Sequence, residues 1–123
     1  MKIRVYYEDT DIGGIVYHTR YINFCERARS EVLFKNGLIP FDKDTNSGYV
    51  VRDLKCKFLK MATLGDILEV KSRVLSKSRV SFTLEQNIYK ENDLIFNMQV
   101  TIVYIRNSKP SKIDERLVEL FNE

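Results

Sequence analysis

Two periods of hydrophobic residues divide the chain. Over residues 17–33, apolar side chains recur at steps of three and four, which is typical of a helix with one buried face. The positions on this face are Tyr17, Tyr21, Phe24, Cys25, Ala28, Val32 and Leu33. Gly37 is a natural end for such a helix, and Pro40 follows it. The pattern therefore predicts one long helix of about 19 residues, roughly 28 Å in length at 1.5 Å per residue.

Beyond this helix the hydrophobic period changes to two, the period of a half-buried strand. Strand-like segments cover residues 49–60, 66–76, 80–89 and 94–104, and the last two alternate strictly. A short strand over residues 2–8 precedes the helix, and a short helix over residues 114–121 ends the pattern. The simplest pairing of these strands is an antiparallel meander. The order predicts an α+β domain, in which one long helix packs on an antiparallel sheet of about five strands.

Length and composition fit a single domain over residues 1–123. Hydrophobic residues make up 44% and charged residues 30% of the chain, as is ordinary for a globular protein. No apolar run approaches the roughly 20 residues that span a bilayer, and the first residues lack the apolar core of a signal peptide. We therefore expect a cytoplasmic protein. Because one helix leaves the edges of a sheet unprotected, we also expect a homodimer or homotetramer.

Groups that can take part in catalysis are concentrated just before the helix. The carboxylates Asp9 and Asp11 are followed by Gly13 and Gly14, and then by His18, the only histidine. The start of a helix presents unpaired backbone N–H groups and a partial positive charge. A carboxylate beside such donors can attack or activate water next to a polarised carbonyl. The sequence predicts an active site here, with helix capping by Asp11 as the structural alternative.

The same segment resembles a known enzyme family. Residues 7–21 (YEDTDIGGIVYHTRY) are similar to the motif of the YbgC-type acyl-CoA thioesterases, which belong to the 4-hydroxybenzoyl-CoA thioesterase branch of the hotdog fold. The close resemblance continues through Phe24 and through Glu26 to Arg29. Weaker similarities extend it over most of the chain, at Val50 to Arg52, Leu64 to Asp66 and Ser78 to Phe82. The resemblance implies a long helix wrapped by a curved antiparallel sheet. It also implies a dimer whose sheets join edge to edge, with two sites at the interface.

The activity implied by this resemblance is hydrolysis of acyl-CoA to a free acid and CoA, with short-chain or aromatic acyl groups favoured over long ones. The catalytic aspartate of the family falls on Asp11, as base or nucleophile. The backbone N–H at His18 polarises the carbonyl, and the His18 side chain matches the histidine of the family. Gly13 and Gly14 form the turn beside this oxyanion site. No cofactor is expected, because coenzyme A is part of the substrate.

A basic segment fits the same substrate. Residues 50–80 contain eight basic and three acidic side chains, although the net charge of the whole chain is only +3. In related thioesterases, basic residues around this strand hairpin contact the nucleotide of CoA. The resemblance thus implies Arg79 as the first CoA-binding candidate and Lys77 as the next, with Lys57 and Lys60 as weaker ones. The same patch suits the acidic surface of acyl carrier protein.

Other interpretations stay open at this point. The chain fits an acyl-acyl-carrier-protein hydrolase, and also a non-catalytic acyl-binding or scaffold module of an envelope-associated complex. An Asp-x-Asp after a strand occurs in haloacid dehalogenase-type phosphotransferases too, but these need a parallel sheet with alternating helices. One histidine and the distant Cys25 and Cys56 give no metal-type spacing, so we expect no metal and two reduced thiols. The net charge is too small to indicate nucleic acid.

We expect structural roles for three further residues in or near the motif. Only one acid of the Asp9/Asp11 pair needs to face a ligand, so we expect a structural role for Asp9. Tyr21 and Phe24 lie on the apolar face of the predicted helix, and we expect them in the core or in the wall of the pocket.

Overall fold

The computed structural model describes residues 1–122 and consists of one long helix packed on one antiparallel sheet. Helix α1 spans His18–Lys35, and a short helix α2 spans Glu115–Glu119. The strands are β1 (Lys2–Arg4), β2 (Phe41–Asp42), β3 (Ser47–Phe58), β4 (Ile67–Lys77), β5 (Ser81–Lys90), β6 (Asp93–Arg106) and β7 (Lys109–Pro110). The α+β architecture and the single long helix are therefore confirmed.

Two details differ from the sequence-based expectation. The sheet has seven strands instead of about five, because β2 and β7 are two-residue strands that are too short to show a period. The first strand ends at Arg4, and residues Tyr7–Asp9 form a 3-10 turn, so the strand predicted over residues 2–8 was too long. The Asp9 carboxylate accepts a hydrogen bond from the Tyr6 N–H at 2.9 Å, which favours the turn over continued strand.

The strand order is β1-β4-β5-β6-β3-β2, with β7 paired to β6. Strand β3 has β6 on one side along most of its length. On its other side, β2 pairs only with Ser47 and Gly48. The Tyr49 N–H donates to the Pro40 carbonyl just before β2. Within residues 1–122, β3 from Val50 to Phe58 therefore has an open edge.

The core lies between the sheet and α1. On the inner face of the sheet, β5 and β6 contribute Phe82, Leu84, Ile88, Phe96, Met98 and Val100, all at most 1% exposed. The buried face of α1 meets them with Phe24, Cys25 and Ala28. On the outer face, polar side chains bond across the strands, as in the Asn97–Asn87 pair at 2.7 Å. This one-sided burial explains the strict alternation of the sequence.

Candidate active site

A cavity of about 320 Å³ lies between the start of α1 and the end of β3. The loop before α1 and the first turn of the helix contribute Asp11, Ile15, Val16, Tyr17, His18 and Tyr21 to its lining. The end of β3 and the residues after it contribute Phe58, Leu59, Lys60 and Met61. The structure therefore brings Asp11 and His18 to one cavity, beside a mainly apolar wall.

The loop that carries Asp11 is closed by its own backbone. Thr10 and Val16 form a β-bridge, and the Asp11 N–H donates to the Ile15 carbonyl at 2.9 Å. Gly14 N–H donates to the Asp11 carbonyl at 3.0 Å with a φ of 78°, a conformation that favours glycine. These bonds fix the position of residue 11 relative to the helix that follows.

The Asp11 side chain is held by one of its two oxygens. Oδ1 accepts a hydrogen bond from the Gly13 N–H at 2.8 Å, while Oδ2 accepts none from the described residues. A Cβ at position 13 would approach Asp11 Oδ1 to 3.3 Å, so glycine suits this close contact. Asp11 thus bonds within its own loop and does not cap α1. Its carboxylate is exposed and keeps one oxygen free to act on a bound molecule.

The start of α1, which lines the same cavity as Asp11, carries unpaired donors. Tyr17 is the N-cap residue, and its side chain forms no capping hydrogen bond. In the part of the chain that the structure describes, the backbone N–H groups of His18 and Thr19 have no acceptor. Such groups carry the partial positive charge of a helix N-terminus. The His18 ring packs against the rings of Tyr17 at 4.6 Å and Phe58 at 6.1 Å.

Asp9 lies outside the cavity lining and connects structural elements. It is 2% exposed, and its backbone carbonyl accepts a hydrogen bond from the Tyr17 N–H at 2.9 Å. Its Oδ1 lies 3.7 Å from Arg20 Nε and accepts no hydrogen bond from residues 1–122. Asp9 therefore joins the 3-10 turn to the first turn of α1, in keeping with the structural role expected for it.

The predicted CoA-binding residues do not lie together within one chain. Lys60 lines the cavity, with Nζ 3.4 Å from an Asp93 carboxylate oxygen. Lys57 aligns with Asn97, on the outer face of the sheet. Lys77 and Arg79 lie at the β4–β5 turn, where Lys77 Nζ bonds to a Glu119 carboxylate oxygen.

The β4–β5 turn is at the far end of the sheet from the cavity. Phe82 in this hairpin aligns with Ile102, which aligns with Val51, whereas Phe58 at the cavity aligns with Phe96. Residues 51–58 of β3 separate the two ends, a distance of roughly 23 Å at about 3.3 Å per residue. Within one protomer, Lys60 alone of the four basic candidates lines the cavity.

The aromatic wall was only partly foreseen from the sequence. Tyr21 is 4% exposed and stacks on Phe96 at 5.3 Å, and its hydroxyl accepts a hydrogen bond from the Ala62 N–H at 3.0 Å. Burial raises the pKa of Tyr21. The sequence did not indicate that Phe58, Leu59 and Met61 line the cavity. Their signal in the sequence is weak: three apolar residues around Lys60 at the end of β3, which only nonlocal packing brings to α1.

No group of three or more His, Cys, Asp or Glu side chains within residues 1–122 is arranged to hold a metal ion. Across the same residues, neither helix has the length and apolar character needed to cross a membrane.

Similarity to known proteins covers most of the chain. The profile of the thioesterase superfamily matches residues 13–96. The acyl-CoA thioesterase YbgC of Helicobacter pylori is 43% identical over 89 residues, which cover 72% of this chain and 65% of that protein. The acyl-CoA thioester hydrolase YbgC of Escherichia coli is 34% identical over 128 residues, covering 98% of this chain and 93% of that protein. The crystal structure of a probable thioesterase from Bartonella henselae superposes with a TM-score of 0.84 at 31% identity, covering 93% and 97% of the two chains.

The helix wrapped by a curved sheet, and the loop before it, define the class of protein as a hotdog-fold domain of the thioesterase type. The match spans just under two thirds of the H. pylori relative and nearly all of the E. coli one. The chain belongs to the thioesterase superfamily and, within it, to the YbgC-type family.

Proposed function

We propose that this protein hydrolyses the thioester bond of acyl-CoA, releasing a free acid and CoA. The observation that carries this proposal is one cavity lined by both Asp11, which keeps a free carboxylate oxygen, and His18, at the start of α1 where the N–H groups are unpaired. The activities named for the YbgC relatives support the same reaction.

The mechanism follows from these two groups. The thioester carbonyl oxygen lies at the backbone N–H of His18, which stabilises the negative charge that develops as the carbonyl is attacked. One such donor typically contributes about 3 kcal/mol. Asp11 takes a proton from water as the water oxygen attacks the carbonyl carbon, or attacks that carbon itself to form an anhydride that water then hydrolyses. In either route the attack gives a tetrahedral intermediate, and its collapse breaks the C–S bond and releases the CoA thiolate. In the second route this collapse forms the anhydride, which water then hydrolyses to the free acid and the Asp11 carboxylate.

A second acid is not essential for this reaction. The thiol that leaves has a pKa of about 8.5 by the cysteine reference, so its thiolate departs without full protonation. The absence of a Ser-His-Asp arrangement is therefore compatible with thioester hydrolysis. The His18 side chain, which contacts the rings of Tyr17 and Phe58, is left with the role of orienting the substrate.

The cavity favours a small acyl group. Its volume of about 320 Å³ is near the lower end of the range for ligand pockets, which is roughly 300–1,000 Å³. Its walls are apolar and largely aromatic, with Tyr21 and Phe58 beside Ile15 and Met61. Short aliphatic chains and single aromatic rings suit this space better than long chains.

A dimer through the open edge of β3 would complete the CoA site. Antiparallel pairing of two β3 strands places the Val51 end of one copy beside the Phe58 end of the other. The β4–β5 turn of the second copy, with Arg79 and Lys77, then lies toward this cavity. Their charges suit the phosphates of CoA there, and Lys60 contributes from the first copy.

The exposed basic segment also suits acyl carrier protein as the thioester carrier. Lys55 and Lys57 are exposed and follow one another on the outer face of β3, and neither forms an ion pair with another residue of 1–122. An acidic protein surface is complementary to such a patch.

The test is a hydrolysis screen that uses acyl-CoA substrates from acetyl to palmitoyl, benzoyl-CoA, and the matching acyl carrier protein thioesters. We expect the highest kcat/KM for short-chain or aromatic acyl-CoA. Higher kcat/KM for acyl carrier protein thioesters would show that the substrate is carried by acyl carrier protein instead of CoA. Lack of hydrolysis of every thioester, together with binding of acyl groups, would reject catalysis in favour of an acyl-binding module.

A further inference from the structure

Phe58 is the last residue of β3 and forms part of the cavity wall beside His18. Its ring centroid lies 6.1 Å from that of His18 and 6.0 Å from that of Tyr21, both in edge-on geometry. Behind it, the fully buried Phe96 ring lies at 5.1 Å. Phe58 therefore stands directly next to the residue at which the thioester carbonyl is proposed to bind.

Phe58 and Tyr21 both line the cavity but differ in how firmly the surrounding residues hold them. Tyr21 is buried, stacked on Phe96 and tied by its hydroxyl to the Ala62 backbone at 3.0 Å. Phe58 is 49% exposed and is held through contacts of its ring. A smaller side chain at position 58 leaves no buried polar group unpaired, so this wall can be altered without disrupting the core.

An apolar surface continues along β3 beyond Phe58. Leu54, Cys56 and Phe58 lie on the inner face of the strand, because they align with the fully buried Val100, Met98 and Phe96. Leu54 is 44% exposed and Cys56 is half-buried. Neither of them lines the cavity, which ends at Phe58. The surface extends for about 13 Å along the strand at roughly 3.3 Å per residue.

We propose that the Phe58 ring closes the acyl end of the cavity and sets the maximum length of the acyl group. The inference rests on the proposed thioesterase function. A carbonyl held at the His18 N–H fixes where the acyl chain begins, and the Phe58 ring occupies the space that further methylenes need. Removing the ring opens the cavity toward Cys56 and Leu54, the next side chains on the same face of β3.

The experiment compares the wild type with Phe58→Ala and Phe58→Leu, using butanoyl-CoA and decanoyl-CoA. The ratio of kcat/KM for decanoyl-CoA to that for butanoyl-CoA should rise by roughly tenfold or more in Phe58→Ala, since a few methylenes in an apolar pocket are worth at least that much. Phe58→Leu should give an intermediate ratio. Phe34→Ala is the matched control, because Phe34 is 53% exposed on α1 and does not line the cavity.

Circular dichroism and thermal melting establish that each variant is folded, and Phe58→Leu preserves apolar packing if Phe58→Ala does not fold. Phe58→Trp extends the test in the opposite direction and should lower activity on butanoyl-CoA. An unchanged ratio in the folded variants, with an active wild type, overturns the role of Phe58 and leaves the proposed function intact. A wild type that hydrolyses no thioester rejects the proposed function itself.

Discussion

Two carboxylates that are separated by one residue have opposite environments. Asp9 is 2% exposed and bonds to the Tyr6 N–H, so it stabilises the turn that precedes α1. Asp11 is exposed at the cavity and bonds through one oxygen to Gly13. The loop between Asp11 and α1 contains Gly14, which adopts a φ of 78° and lets the backbone turn back. Two carboxylates one residue apart therefore make different contacts, and the one proposed for catalysis is the one that lines the cavity.

Cys25 gives a prediction about alkaline stability. Burial raises its pKa from the ordinary 9.0 to about 12. Between these values the folded state binds more protons than the unfolded state, so the free energy of unfolding falls as pH rises above about 9. One such group contributes a slope of about 1.4 kcal/mol per pH unit.

Urea unfolding of the wild type between pH 8 and pH 11 measures this slope, and Cys25→Ala should have a shallower one. Burial also raises the pKa of Tyr49 to about 12, so part of the slope above pH 10 should remain in the variant. Identical slopes for the two proteins would show that Cys25 has no part in the effect.

At the scale of elements, a polar network connects α1 with the middle of the sheet. Gln86 is fully buried on β5, and its Nε2 donates to the Cys25 carbonyl and to Ser72 Oγ, both at 3.1 Å. Its Oε1 accepts a hydrogen bond from the Arg29 guanidinium at 2.7 Å. Burial lowers the pKa of Arg29. One amide on β5 thus bonds to polar groups of α1 and β4 and connects the three elements.

Gln86→Leu should lower the free energy of unfolding by about 2–4 kcal/mol, because it leaves the Arg29 guanidinium and the Ser72 hydroxyl unpaired. The matched control is Gln99→Leu, since Gln99 is exposed on β6. That substitution should change stability by about 0.5 kcal/mol or less. Urea unfolding gives both values, and equal losses would argue against the network.

The elements that a sequence can predict are those whose signal is local. The three-and-four spacing placed α1 within a residue or two of His18–Lys35, and strict alternation placed β5 and β6. The approach of Asp11 to His18 was predictable for the same reason, because seven positions of one loop join them. Phe58 and Lys60 reach the cavity through pairing of β3 with β6, which no local pattern reports. The separation of Arg79 from the cavity also depends on strand pairing and could not be predicted from a local pattern.

At the scale of the whole molecule, the open edge of β3 is an unprotected part of the sheet within residues 1–122. Val51 is 47%, Leu54 44% and Phe58 49% exposed along this edge. An exposed apolar strand edge is a template for pairing with another chain, and proteins usually cover it. A second copy in antiparallel orientation would cover the edge and would also bring a β4–β5 turn toward each cavity, as proposed above.

Sedimentation should therefore show the wild type as a dimer or a multiple of dimers. Leu54→Lys introduces a charge at the middle of the edge and should shift the protein toward monomers, with reduced hydrolysis of acyl-CoA. Gln99→Lys is a matched control on the exposed outer face of β6. A wild type that stays monomeric at all concentrations while hydrolysing acyl-CoA would contradict this assembly.

The measurement that tests the central claim most directly is hydrolysis of a good acyl-CoA substrate by Asp11→Asn. Asparagine preserves the size of the side chain and can still accept a hydrogen bond from the Gly13 N–H, but it cannot serve as base or nucleophile. We expect kcat to fall by about 10²–10⁴-fold, with an unchanged melting temperature. Glu8→Gln, which removes an exposed carboxylate three positions earlier, should retain wild-type kcat. Wild-type turnover by folded Asp11→Asn would contradict the account.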